Sequence, residues 1–147
     1  MNSQQIVSIL AHKCRGFYGV FAINNLPSVL PARRPLIFVC NTDPTSKPGQ
    51  HWIVICLNTN STGDYFDSFG RQPLVAFENF LYRNCVSWTF NSKQLQSAAS
   101  RFCGHYCVFY CLYRSIKIKP TTIVNWFSND TGLNDVLVHA FVCKLLK

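Results

Sequence analysis

Two six-residue runs, Leu36 to Asn41 and Trp52 to Leu57, are apolar at nearly every position, rich in β-branched residues and bounded by turn formers. Runs of this kind read as neighbouring buried strands. Tyr65 to Ser68 follows the loop Asn58 to Gly63 as a further strand, and Val86 to Phe90 reads as another. Cys103 to Ile116 is apolar almost all round but longer than most strands, which favours a buried helix. Ser3 is placed to cap a helix carrying Ile6, Ile9 and Leu10, and Gly16 and Gly19 mark irregular chain around Phe17 and Tyr18. Pro73 opens a helix through about Tyr82 with Leu74, Phe77, Phe80 and Leu81 as its apolar stripe. Further helices are expected near Thr122 to Phe127 and Leu133 to Leu146. A central sheet packed by helices would bury all these faces.

There is no internal repeat, low-complexity tract or dividing linker, so residues 1–147 read as one domain, with Pro44 to Gly49 as an exposed loop. An apolar content of 48% against 14% charged residues excludes a disordered chain. The longest uncharged aromatic-rich stretch is the dozen residues from Phe102 to Tyr113, short of the roughly 18 needed to cross a bilayer. Met1 to Gln5 has no basic, then apolar, leader pattern, so no secretory signal is expected. The eight cysteines read as reduced thiols rather than a disulfide framework, because a chain with this much apolar material needs no staples. A reducing compartment follows. The net charge of +8 is spread without one long basic run, and so favours a polyanion partner only weakly.

Thiol chemistry on a peptide bond needs a thiolate, a histidine to move the proton, a group to orient that histidine and donors for the tetrahedral oxyanion. Cys103-Gly104 stands at the start of the expected buried helix, where the positive end of the macrodipole lowers a thiol's pKa. Gly104 there would let a substrate backbone approach closely. His51 stands at the entry of an apolar strand with Trp52 beside it, and Asp67 ends the next strand, within reach of His51. Gln96, seven residues before Cys103, carries an amide N–H suited to an oxyanion, with Gln94 less favoured. A lone cysteine in an apolar helix is ordinarily core, and a lone histidine before a strand is ordinarily structural. Only the ordered set has weight.

That order, His-Trp, Asp sixteen residues on, Gln and then Cys-Gly, resembles the adenovirus-type endopeptidase branch of the adenain/Ulp1-like cysteine proteases. The matching pieces are Phe17 to Phe21, Val39 to Thr42, Gly49 to Trp52, Tyr65 to Gly70, Gln96-Ser97 and Ser100 to Cys107. The resemblance implies an α+β fold with a central mixed β-sheet packed by helices, of the papain-like, adenain/Ulp1 type. It assigns catalysis to His51, Asp67, Gln96 and Cys103, with Trp52 lining the cleft. Asp at position 67 matches the SUMO-protease version, since adenoviral enzymes commonly use Glu. The activity implied is cleavage of viral precursor proteins at glycine-containing sites, in a virion or the host nucleus or cytoplasm, or in a Polinton-like element. No cofactor is needed for the chemistry. Activation by a viral peptide and by DNA is also implied, with Cys85, eleven residues before Gln96, as the cysteine for a disulfide to that peptide.

Three other readings compete. Cys103, Cys107 and Cys111 with His105 invite a metal module, but their spacing lacks the second ligand pair of a structural zinc site, so no metal is expected. A non-catalytic nucleic-acid-binding domain would use the basic charge, yet no helix-turn-helix or zinc-finger signature supports it. A protease acting on ubiquitin or a ubiquitin-like modifier such as SUMO would share the same motifs. The Gln-to-Cys spacing and the Cys-Gly-His-Tyr-Cys continuation favour the adenoviral branch.

Overall fold

The computed structural model describes residues 1–48 and 50–147. Gly49, in the expected Pro44 to Gly49 loop and the Gly49 to Trp52 motif, lies outside the described residues. Five strands form one mixed sheet in sequence order: β1 (Phe17–Ala22), β2 (Leu36–Asn41), β3 (Trp52–Leu57), β4 (Thr62–Phe66) and β5 (Ser87–Phe90). The outer pairs β1–β2 and β4–β5 are parallel, and the inner pairs β2–β3 and β3–β4 are antiparallel. Five helices complete the chain: α1 (Ser3–Lys13), α2 (Val75–Asn84), α3 (Cys103–Ser115), α4 (Pro120–Asn125) and α5 (Thr131–Leu145).

The lack of alternation in β2 and β3 has a simple cause, because both faces of the central strands are covered. Ile37, Val39, Val54, Cys56 and Phe66 point into a core with α1, α3 and α5. Leu36, Phe38, Cys40, Ile53, Ile55, Leu57 and Tyr65 point the other way, onto Phe77, Phe80 and Leu81 of α2. Helix α3 lies directly on β3. Its near-continuous apolar surface follows from burial of Tyr106, Cys107, Val108, Tyr110 and Cys111.

Local differences from the sequence expectations have local causes. Asn2, not Ser3, caps α1, because its Oδ1 accepts from Gln5 N at 2.9 Å while Gln5 Oε1 accepts from Asn2 N at 2.9 Å. Phe17 and Tyr18 are in β1 rather than irregular chain; a register shift between Phe17 and Gly19 absorbs the glycine. Strand β4 starts earlier than Tyr65, and Asp67 and Ser68 lie beyond its end.

Inside the sheet–helix layer, Asp64 accepts from Arg114 Nη2 at 2.9 Å, from Tyr110 Oη and from Asn58 Nδ2 at 3.0 Å. Asp64 is 2% exposed, so removing its carboxylate leaves the largely buried Arg114 guanidinium without its counter-charge. Asp64→Ala is expected to cost about 3–5 kcal/mol, read as a lower urea midpoint at unchanged m-value.

Candidate active site

The strand register brings the polar residues together. Val54 of β3 pairs with Phe66 of β4 in an antiparallel ladder, so the start of β3 and the end of β4 share one edge of the sheet. His51, one residue before β3, and Asp67, one residue after β4, emerge there, and His51 Nε2 meets Asp67 Oδ1 at 2.7 Å. Both side chains are buried, with His51 8% and Asp67 3% exposed.

Asp67 is held from several sides. Its Oδ1 also accepts the Phe69 N–H at 2.8 Å, and Gly70 N closes a tight turn onto Asp67 O at 2.8 Å. Gly70 adopts φ +72°, and a Cβ there would fall 2.8 Å from the Lys93 and Ser92 backbone, so the turn requires glycine. Asn91 grips the Asp67 backbone at both ends, its Oδ1 accepting from Asp67 N at 3.0 Å and its Nδ2 donating to Asp67 O at 2.6 Å. The Phe69 ring stacks on His51 with centroids 4.8 Å apart, and Arg71 lies 4.7 Å from that ring's centroid. Sequence reasoning singled out neither Asn91 nor the stacking of Phe69, since the contacts form only when β4, β5 and their following loops come together.

Helix α3, packed on β3, delivers Cys103 at its first residue. With Nε2 engaged by Asp67, Nδ1 is the ring nitrogen left to face the thiol. Burial pushes the Cys103 thiol up, but the His51 hydrogen bond, backbone hydrogen bonding at Trp52 and Gly104 and the His51 charge outweigh it, and the net shift is downward. For His51, burial lowers the pKa, while Asp67 and Cys103 hold the imidazolium and raise it to about 9. Shifts in these opposite directions favour the thiolate–imidazolium form of the pair. By contrast, burial raises the thiols of Cys14, Cys40, Cys56, Cys85, Cys107 and Cys111.

Cys103, His51, Trp52, Phe69, Ser100 and Arg101 line a cleft of about 490 Å³ with Met1 and Gln50. Trp52 donates its indole N–H to Met1 O at 3.1 Å. Gly104 is buried, and a Cβ there would fall 3.0 Å from Met1 Cβ and 3.3 Å from Trp52 Cδ1, so the glycine makes room for Trp52 to pack on the helix.

Gln96 lies behind the cleft wall and is fully buried. Its Oε1 accepts from Ser68 Oγ at 2.6 Å, and its Nε2 donates to Ser100 O and Ser100 Oγ, each at 3.0 Å. Both amide hydrogens are therefore engaged. Exposed Gln94 donates to Gln96 O at 3.0 Å. Cys85 is half-buried at the end of α2, its Sγ over Gly63, and does not line the cleft. Among the described residues, no group of three or more His, Cys, Asp or Glu is arranged to hold a metal ion, and no helix is long and apolar enough to cross a membrane.

No family model matches the chain. It is similar to the protease of bovine adenovirus 4, at 28% identity over 90% of this chain and 81% of that protein. It is likewise 28% identical to the protease of bovine adenovirus 7, over 67% of this chain and 57% of the relative. Among solved structures, the ASFV pS273R protease shares the fold, with a TM-score of 0.62 and 18% identity over 93% of this chain and 63% of that one. Sequence likeness and fold together support an adenain/Ulp1-like cysteine protease acting on a polypeptide.

Proposed function

We propose that the chain is a cysteine endopeptidase that cleaves viral precursor proteins at glycine-containing sites through Cys103, His51 and Asp67. The observation that carries this reading is the buried 2.7 Å His51–Asp67 contact beside a thiol whose pKa is lowered. The Cys103 thiolate attacks the scissile carbonyl, the carbonyl electron pair moves to oxygen, and the Cys103 N–H, free at the first turn of α3, receives that oxyanion. Gln96 is the side-chain donor to the same oxyanion, its Nε2 exchanging Ser100 for the substrate oxygen. The His51 imidazolium then gives its proton to the leaving amine, and water, deprotonated by His51, releases the acyl group. Asp67 holds the ring orientation and its charge throughout. Trp52 and Phe69 narrow the cleft around His51, which favours glycine beside the scissile bond because side chains there would meet aromatic rings.

The adenoviral relatives support a viral precursor as substrate and a virion, or the host nucleus or cytoplasm, as the place of action. No cofactor takes part in the chemistry. A cysteine-bearing viral peptide joined to Cys85 and non-specific DNA bound by the +8 surface are the proposed activators. The test is cleavage of a glycine-containing peptide library with and without such a peptide and DNA. Cleavage near glycine is expected in the wild type and should fall by about 10⁶-fold in Cys103→Ala. Turnover retained in that variant would remove the assignment.

A further inference from the structure

We propose that Asp43 forms a substrate subsite that takes a lysine or arginine side chain a few residues from the scissile bond; this rests on the protease reading above. Asp43 lines a second cavity, of about 380 Å³, whose wall shares Trp52 and Met1 with the catalytic cleft. The two spaces are therefore neighbours across Trp52. The sheet fixes their relation, because Asn41 of β2 pairs with Trp52 of β3 and Thr42 N donates to His51 O at 2.9 Å. Asp43 is the next residue, so its backbone stands beside the strand end that carries His51.

The buried carboxylates elsewhere in the chain have partners. Asp67 meets His51, Asp64 meets Arg114, and Asp135 accepts from Tyr106 Oη at 2.7 Å. Asp43 differs. Its Oδ2 is buried without a hydrogen-bond partner, and no cationic side chain pairs with its carboxylate, among the described residues. A buried carboxylate oxygen without a donor is costly and calls for an explanation. With 14 Lys and Arg against 6 Asp and Glu, the chain has cations in excess, yet none is placed here. The backbone of Asp43, by contrast, is fixed on both sides. Its N–H donates to Asn41 Oδ1 at 2.8 Å, and its carbonyl accepts from Ile23 N at 3.4 Å. The residue as a whole is half-buried, so a carboxylate held in position borders the cavity with its charge uncompensated.

The rest of the wall suits the stem of a basic residue. Val20, Phe21 and Pro44 supply apolar surface along which the methylenes of lysine or arginine can lie while the charged head reaches Asp43. Lys47 also borders this cavity, but it is exposed and makes no ion pair with Asp43. An aliphatic residue of the same length would leave the carboxylate without a donor, and an acidic one would set like charges against each other.

Glycine-containing peptides with lysine, norleucine or glutamate placed in turn at each position flanking the cleaved bond test the subsite. In the wild type, one position is expected to give kcat/KM about 10-fold higher with lysine than with norleucine, the worth of a hydrogen bond between charged groups. The difference should lie in KM, because the side chain binds away from the reacting atoms. The lysine-to-norleucine ratio should approach one in Asp43→Asn, keep its sign in Asp43→Glu and turn in favour of glutamate in Asp43→Lys. Each ratio is internal to one protein, so the amount of folded enzyme cancels. Added salt should lower the ratio in the wild type itself, which decides the matter even if a variant fails to fold. Cleavage with no lysine preference, or a preference unaltered in Asp43→Asn, would overturn the subsite and leave the protease reading standing. Failure of the wild type to cleave any peptide of the set would remove both.

Discussion

Iodoacetamide at pH 6 is expected to modify Cys103 about 10- to 100-fold faster than any other cysteine of the chain, with the selectivity lost in His51→Ala. A thiol of ordinary pKa near 8.5 is only about 0.3% thiolate at that pH, whereas the contact with His51 lowers the Cys103 pKa and enlarges its thiolate fraction. The gain stays below the full ratio of thiolate fractions because nucleophilicity falls with pKa. Removing the imidazole leaves burial, which raises the Cys103 thiol, opposed only by the backbone hydrogen bonding at Trp52 and Gly104. The variant should therefore label slowly everywhere. Peptide mapping by mass spectrometry of the alkylated chain checks both halves, and slow, unselective labelling of the wild type would dissolve the ion pair.

Asp67→Asn is expected to lower kcat by about 10²–10⁴-fold, the contribution of a group that keeps general acid–base chemistry in order, without unfolding the protein. The amide keeps the shape of the carboxylate but not its charge. In the wild type His51 titrates at about 9, so activity should fall on the alkaline side as pH rises through that value. On the acid side it should fall as Cys103 takes up its proton. The variant's alkaline limb should move toward the ordinary imidazole value, because Asp67 is the largest influence that raises His51. Folding lifts His51 above its unfolded value of 6.5, so the pair's share of stability is whole below that pH and is lost as pH climbs through about 9. Full pH profiles of kcat/KM for both proteins decide the matter; an unmoved alkaline limb would mean that Asp67 does not set the charge on His51. Asp64 cannot substitute for it, being engaged by Arg114, Tyr110 and Asn58.

Where sequence and structure differ, the reason lies in contacts between segments distant along the chain. Burial of β2 and β3, the helix after Cys103 and the order His51, Asp67, Gln96, Cys103 are properties of short windows and their sequence order. Periodicity and residue type register such properties directly. Gly104 shows the opposite case, because the neighbour that its missing Cβ makes room for is Trp52, about a third of the chain away. Asn91, at the end of β5, takes hold of Asp67 only because β5 adds to β4 in parallel, a pairing no local signal specifies.

The sequence by itself determined which residues carry thiol chemistry and which segments must be buried, since both depend on side-chain type and local pattern. Only the tertiary structure decided that Asp64 engages Arg114, that Asn91 grips the Asp67 backbone and that the Gln96 amide lies between Ser68 and Ser100. Hydrogen-bond direction and the net pKa of a buried pair depend on every group within a few ångströms, and the fold, not the order of residues, brings those groups together.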